Sequence, residues 1–308
     1  MVERRPGVMP PKPGPPPRRV SQQRILLRRV AALAGVLLAA LVVFGIVKLA
    51  GHKSAAPPPA TTAIVQPKPF RIIFPEGMTR AEMAQRVDAV AKIATRKAHR
   101  KVRLAKRAYL ASSGPRVIGG AFGAKKRNLE GFLFPATYDF LRQTTSAQLV
   151  RDQLDAFEQN WSKVDLRAAR KKNLTPYDVL IIASLVEKEG LAPDDRPKIA
   201  RVIYNRLKAG MNLGIDATTR YGLHIPGTQS LRASQIASNN PYNTRNPNIT
   251  GLPPTPIANP GLASMQAAAH PAPGNWLYFV RKPDRVHHYF TASYNDFINH
   301  AREYGFTP

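Results

Sequence analysis

From Val30 to Val47 the chain reads "VAALAGVLLAALVVFGIV", an uncharged apolar run bounded by Arg29 and Lys48. No other segment constrains the fold as strongly. With Leu26, Leu27 and Leu49 included, a helix rising about 1.5 Å per residue can cross a hydrocarbon core of roughly 30 Å. A buried core helix has no reason to carry a basic, Pro-rich tail before it and "GHKSAAPPPATTA" after it. The apolar region of a cleavable signal peptide is normally shorter, about 7–15 residues. The expectation is a transmembrane helix over 30–49. Arg4, Arg5, Arg18, Arg19, Arg24, Arg28 and Arg29 precede it, while only Lys48 and Lys53 closely follow. The positive-inside rule then puts the N-terminus in the cytoplasm and the remainder outside a cytoplasmic membrane.

Charge narrows the partners. Lys plus Arg outnumber Asp plus Glu by 46 to 19, a formal net charge of +27, so the chain should be drawn to a polyanion. Nucleic acid, anionic lipid and an acidic cell-wall polymer all qualify. The extracytoplasmic orientation argues against nucleic acid. Cysteine is absent, which excludes disulfides, a thiol nucleophile and Cys-ligated metals.

Residues 1–29, rich in Pro and Arg, read as a disordered basic tail. Residues 50–69 form a linker stiffened by Pro57, Pro58 and Pro59. "FRIIFPEGMTRAEMAQRVDAV" then predicts a strand over Phe70–Phe74, a Pro-Glu-Gly turn and a helix capped by Thr79, with Met83, Val87 and Val90 on one face. The basic stretch from Lys92 to Arg107 is expected to continue as helix. This module occupies 70–127. Residues 128–308 read as one continuous domain. It should hold helices over Ser146–Phe157, Pro176–Glu189 and one opened by Asp194 or Asp195. A proline loop, "TGLPPTPIANPG", follows, then a short helix in "ASMQAAAH", a strand in "NWLYFVRK" and a strand running into a terminal helix. The class is mixed α+β.

One helix carries the chemistry. In "LTPYDVLIIASLVEKEG", Thr175 is an N-cap, Pro176 stands at the first helical position and Gly190 stops the helix. Apolar residues cover nearly its whole circumference, so it should be buried. It ends in two acids, although a helix C-terminus already bears partial negative charge. At 100° per residue, Glu187 and Glu189 project about 80° to either side of Val179 and therefore diverge. Glu187 borders the buried face, where burial and the dipole should raise its pKa. A carboxyl kept protonated near neutral pH suits general-acid chemistry. The other reading is a glutamate neutralised by one of the many Lys and Arg side chains.

The segments "LEGFLFPATY", "ASLVEKEG", "RPKIARVIYNRLKAGMNLGIDATTRYGL", "YNTRNPNITGLPPTPIANPGLASMQAAAHP" and "LYFV" occur in this order, after "FPEGMTRAEMAQRV". Together they resemble the endolytic murein transglycosylase, or YceG-like, family, over roughly Phe70 to Pro308. The resemblance implies a LysM-like module over 70–127, followed by a transglycosylase domain. It also implies non-hydrolytic cleavage of the MurNAc–GlcNAc β-1,4 bond within peptidoglycan strands, leaving 1,6-anhydro ends. The catalytic glutamate of the family falls on Glu187, which would protonate the glycosidic oxygen and then assist the MurNAc 6-hydroxyl. One carboxyl group suffices because the nucleophile belongs to the substrate, whereas water-delivering glycosidases generally use two.

By the same resemblance, substrate contacts are expected from Glu189, Asn205, Arg206, Asp216, Tyr242, Asn243, Thr244, Gly251, Leu252, Pro253 and His270. Asp216 would stabilise positive charge at the anomeric carbon. No cofactor is implied, and His287 and His288 lie in no metal-ligand pattern. Peptidoglycan strands and the inner membrane are the expected partners, with peptidoglycan synthases a further expectation of the resemblance. Ala136 in "FPATY" departs from the acid common at that position. Three alternatives stand beside this reading: a lysozyme-like hydrolase pairing Glu187 with Asp216, a non-catalytic wall-binding protein, and a nucleic-acid binder.

Overall fold

The computed structural model describes residues 30, 31, 33–42, 44 and 68–306. The expected tail over 1–29, nearly all of the linker and the end of the expected span lie outside these residues. Residues 30, 31, 33–42 and 44 are helical (α1), with Leu33, Val36, Leu37, Leu38 and Leu41 exposed. Among the described residues no helix is long and apolar enough to cross a membrane.

Residues Gln66–Pro308 belong to one compact unit. It opens with β1 (Phe70–Ile73), whose alternation buries Ile72 and turns Arg71 and Ile73 outward. Its antiparallel partner is β4 (Thr137–Phe140), with Phe70 opposite Phe140 and Ile72 opposite Tyr138. The module expected over 70–127 thus completes its sheet with a strand from beyond residue 127. Between them, α2 (Arg80–Ala98) starts in a capping box: Thr79 Oγ1 accepts the Glu82 amide, and the Glu82 carboxylate accepts the Thr79 amide at 2.7 Å. Met83, Val87, Ala91 and Ala94 form its buried stripe.

The basic helix expected to run through Arg107 stops at Ala98. His99 adopts a left-handed C-cap with φ of 51°. Val102 and Leu104, both buried, are spaced two apart, which is the period of extended chain and not of helix. A new helix, α3 (Lys106–Ser112), follows. A small hairpin of β2 (Arg116–Val117) and β3 (Lys126–Arg127) leads on to α4 (Ser146–Trp161) and the single turn α5 (Arg167–Arg170).

Helix α6 (Pro176–Glu189) has the cap, proline start and glycine stop expected of it. Every residue from Val179 to Val186 is buried, so tertiary packing fixes it; each large apolar side chain contributes about 1.5–3 kcal/mol. It packs against α7 (Arg196–Lys208) and α10 (Leu262–Ala269). Buried Ser184 hooks it to the proline loop, accepting the Ile257 amide at 3.0 Å. Two further short helices follow, α8 (Asp216–Gly222) and α9 (Ala233–Ile236). The chain closes with the antiparallel pair β5 (Tyr278–Arg281) and β6 (His288–Thr291), then α11 (Tyr294–Glu303).

Candidate active site

The two acids ending α6 diverge, as the helical wheel predicts, and enter different surroundings. Glu187 turns toward the N-terminus of α10, where its Oε2 accepts the Gly261 amide at 2.9 Å. An anion there interacts favourably with the free amides of the first helical turn. Glu76, from the Pro-Glu-Gly turn, lies on the same spot: a Cβ built on Gly261 would fall 1.7 Å from its Oε1. Partial burial raises the Glu76 pKa, and the neighbouring Glu187 raises it further. The turn is held in place by the Gly77 amide donating to Asn259 O at 3.0 Å and by Lys188 Nζ donating to Gly77 O at 3.3 Å.

Glu189 faces the other way. Burial pushes its carboxyl up to about 7; Arg281 opposes that rise and Asp216 adds to it. Asp216 is the first residue of α8 and pairs with Arg245 at 2.8 Å. Lys188 and Arg220 also act on Glu189. Glu189 thus carries a raised carboxyl within a group made of one other acid and several cations.

The frame beneath Asp216 comes from the "YNT" segment. Thr244 Oγ1 accepts the Ile215 amide at 3.0 Å and lies 2.8 Å from Thr218 Oγ1, while Asn243 Oδ1 accepts from Thr219 at 2.7 Å. Asn243 Nδ2 donates to Ile236 and Ser238 carbonyls. Asn243 and Thr244, expected as substrate contacts, are 0% and 1% exposed, with their side chains taken up by these hydrogen bonds. They hold α8 in place. Tyr242, half-buried, has its hydroxyl 2.9 Å from Thr255 Oγ1 and its ring 5.1 Å from that of Tyr221.

Asn205 and Arg206, expected as substrate donors, bracket backbone. Asn205 Nδ2 donates to the Gly274 and Trp276 carbonyls. Arg206 donates to Leu277 O at 2.6 Å and Leu213 O at 2.7 Å, and lies over the Tyr278 ring at 5.1 Å. On α7 the pair stands about 15 Å along from Arg196 at 1.5 Å per residue, and it is Arg196 that packs against Gly190 at the end of α6. His270 caps the far end of α10, with its Nε2 3.8 Å from Asp165, remote from Gly261 at the near end. In the proline loop, Gly251 has φ of 86°, a backbone that favours glycine, with Leu252 half-buried and Pro253 buried.

Sequence reasoning passed over Glu130 and Asn259. Asn259 is wholly buried and every polar atom is used: Oδ1 accepts the Gly131 and Leu133 amides, and Nδ2 donates to Met78 O and Glu130 Oε1. Glu130, 3% exposed, also accepts the Arg80 amide at 2.8 Å and the Tyr221 hydroxyl at 3.1 Å. Burial pushes its carboxyl up to about 7. The available signal was an acid opening the aromatic "GFLFP" run and a lone amide in the apolar "PIANPG". A buried Asp195–His288 pair, at 2.6 Å from the His288 amide and 3.2 Å from Nδ1, ties the start of α7 to β6. Among the described residues no group of three or more His, Asp or Glu is placed to hold a metal ion.

Three comparisons bear on this geometry. The family described as YceG-like matches residues 49–303. A Bacillus subtilis protein named endolytic murein transglycosylase is 38% identical over 159 residues, 51% of this chain and 43% of that protein. A Streptococcus pneumoniae protein of the same name is 35% identical over 186 residues, 59% of this chain and 33% of that protein. The matched stretch thus spans less than half of either relative. The crystal structure of a putative YceG-like protein from Listeria monocytogenes superposes with a TM-score of 0.61 at 28% identity, covering 73% of this chain and 74% of that one.

Proposed function

The chain belongs to the YceG-like family, and on that premise we propose that it is an endolytic lytic transglycosylase of peptidoglycan with Glu189 as its acid. The assignment is supported by the place of Glu189 at the end of α6, where that helix packs on α8 and its first residue Asp216, and by burial, which raises the Glu189 carboxyl to about 7. At neutral pH a large fraction of it holds a proton, as a general acid requires. That proton goes to the glycosidic oxygen as the bond from C1 of MurNAc breaks. Asp216 stabilises the positive charge that develops at C1. The Glu189 carboxylate then takes the proton of the MurNAc 6-hydroxyl as its oxygen bonds to C1, leaving a 1,6-anhydro end. No water is consumed and the acid is regenerated. An internal nucleophile has little translational entropy to lose, which favours it over water.

A second reading keeps the acid on Glu187, as the resemblance implies, and is favoured by its place between Gly261 and Glu76 at the head of α10. Purified murein digested with wild type, E187Q and E189Q, and analysed by mass spectrometry, separates the two. Loss of anhydro ends in E189Q with substantial retention in E187Q supports the first reading, and the reverse pattern supports the second. Reducing ends alone, heavier by one water, would make the protein a hydrolase with Asp216 as partner. Full activity in both variants would place the acid elsewhere, and no new ends even with wild type would leave only a wall-binding role.

The apolar run over 30–49 serves in this reading as a single cytoplasmic-membrane anchor with the cytoplasmic N-terminus set by its flanking arginines. The β1–α2 module acts as a LysM-like glycan contact, and the +27 charge concentrates the enzyme on an anionic wall. Peptidoglycan synthases working on the same nascent strands are the natural neighbours of such an enzyme. Protease accessibility of the domain on intact spheroplasts tests the orientation.

A further inference from the structure

We infer that the corner at which the chain enters its folded unit is a docking face for an anionic lipid surface, formed by Arg100, Lys101, Arg103, Lys106, Arg107 and Arg142. This rests on the reading of residues 30–49 as a membrane anchor. It goes beyond that reading by giving the folded unit an electrostatic contact of its own with the same membrane.

Three segments meet at this corner. In the β1–β4 ladder Phe70 stands opposite Phe140, with the two rings 5.6 Å apart. Arg142 follows two residues later, and its carbonyl accepts the Arg103 amide at 3.1 Å. The chain arriving through Lys68 and Pro69 therefore enters beside Arg103 and Arg142. Past the left-handed His99, Val102 and Leu104 are buried, so Lys101 and Arg103 alternate outward. The Ala105 amide donates to Ser146 Oγ at 3.1 Å, which ties this edge to the start of α4 just beyond Arg142. Lys106 and Arg107 then open α3.

Neighbouring cations have a local reason to be where they are, and these six have none. Lys92 pairs with Asp88 at 2.8 Å, and Arg96 and Lys97 lie in the last turn of α2, where the helix dipole favours positive charge. Lys106 and Arg107 occupy the opposite kind of place. They stand in the first turn of α3, where positive charge is disfavoured, with no acid in that turn and no side-chain cap from Ala105. All six residues are exposed, and among the described residues none of their side chains pairs with an acid. Asp139, the acid nearest Arg142 in sequence, is held by Arg71 at 3.0 Å. Like charges gathered without an internal counter-ion call for an external one. The place of the corner favours lipid over a wall polymer. Residues 50–67 span at most about 60 Å even when fully extended, and they deliver the chain to this corner. Attachment raises the effective concentration of the adjoining face at the membrane surface. Anionic headgroups attract cations that come within about 10 Å at ordinary ionic strength.

The chain has no cysteine, so single labels can be placed by A108C, on α3 beside the cations, and by A292C, just ahead of α11. Full-length protein is combined with vesicles of phosphatidylcholine alone, or of phosphatidylcholine with phosphatidylglycerol, carrying an acceptor dye on the headgroups. Energy transfer is read at low and high salt. The expected result is strong transfer from A108C and weak transfer from A292C, only with phosphatidylglycerol and only at low salt. A variant combining R100Q, K101Q, R103Q, K106Q, R107Q and R142Q should abolish that difference. The salt series on wild type gives the same reading without it. A108C transfer that is equal in both vesicles, insensitive to salt or unchanged in the six-glutamine variant would overturn the inference. So would a label that stays away from headgroups while the same six cations retain the protein on purified murein, which would make the corner a wall contact. Co-flotation with phosphatidylcholine vesicles reports on the anchor separately. If the protein does not float with them, the anchor reading fails, and salt-sensitive binding to phosphatidylglycerol vesicles still reads the corner. Each cation at an anionic surface is worth about fivefold. With half of the six in contact, the glutamine variant should lose roughly 100-fold of that binding, and an unchanged affinity would overturn the inference there too.

Discussion

Glu189 at the end of α6 and Asp216 at the start of α8 act on each other as like charges, and the effect on Glu189 adds to that of burial. The protonated form of Glu189 is the one that can donate. Activity limited by proton donation should therefore be high below pH 7 and fall as pH rises through about 7. D216N removes the like charge while keeping the shape, so Glu189 should lose its proton more readily and the alkaline limb of kcat/KM should move to lower pH. The rate should fall as well, because the developing positive charge at C1 loses its partner; about 10- to 100-fold is the expected scale for one such electrostatic contact. A pH–rate series on D216N checks both. A limb that stays in place would mean that Asp216 does not govern the Glu189 proton.

Gly131 is a second sensitive point, for steric reasons. Its φ is 88°, and a Cβ there would lie 2.7 Å from both Cβ and Cγ of Pro256. Neither the proline ring nor the buried loop around it can easily move. G131A combines left-handed strain of about 1–2 kcal/mol with overpacking of about 1–3 kcal/mol. A loss of roughly 2–5 kcal/mol in unfolding free energy is expected from chemical denaturation. G210A, at φ of 66° but with nothing within 4 Å of the added Cβ, should cost only the strain.

The helices were legible in the sequence where one signal dominated. Thr175, Pro176 and Gly190 bound α6 unambiguously, and its apolar circumference could only mean burial. The same wheel predicted that Glu187 and Glu189 diverge. It could not say what either would face, because α8 lies on one side and α10 with the Pro-Glu-Gly turn on the other. Those neighbours come from 30 to more than 100 residues away in sequence. The burial of Asn243 and Thr244 was hidden for a related reason: a polar "YNT" segment looks solvent-facing until Thr218, Thr219 and Ile215 are seen to consume it. Asn205 and Arg206 likewise satisfy carbonyls of the segment over 274–277 that leads into β5, which no local pattern reveals. Helix α2 was overextended because charge content continued past Ala98 while the 3.6-residue apolar period did not.

Asn259 makes the strongest stability prediction. Its side chain satisfies two loop amides and reaches Met78 O and Glu130, with no exposure to water. N259A would leave the Gly131 and Leu133 amides and one Glu130 lone pair buried without partners. At about 1–3 kcal/mol for each orphaned group, partly relieved by relaxation, a loss of roughly 3–5 kcal/mol is expected. N259D keeps the acceptor for Gly131 and Leu133 but sets a second carboxylate against Glu130, so it should also destabilise, and more at pH 8 than at pH 5. Equal stability of N259D at the two pH values would argue against charge at this pair.

Glu130 gives a pH-dependent counterpart. Burial holds its folded-state pKa near 7, above the ordinary value of 4.5. Between those values the folded chain binds a proton that the unfolded chain has released. Stability from this group is therefore full below pH 4.5 and declines as pH rises toward 7, after which the difference stays constant. The size is about 3 kcal/mol for a fully buried group. E130Q cannot ionise and removes this slope. Denaturation at pH 5 and pH 8 should find E130Q close to wild type at the lower pH and more stable than wild type at the higher. Subtracting the two proteins cancels the contribution of Glu189, which has the same sign, and of every other shared titrating group. A difference that does not change between pH 5 and pH 8 would show that the Glu130 carboxyl does not titrate in this range.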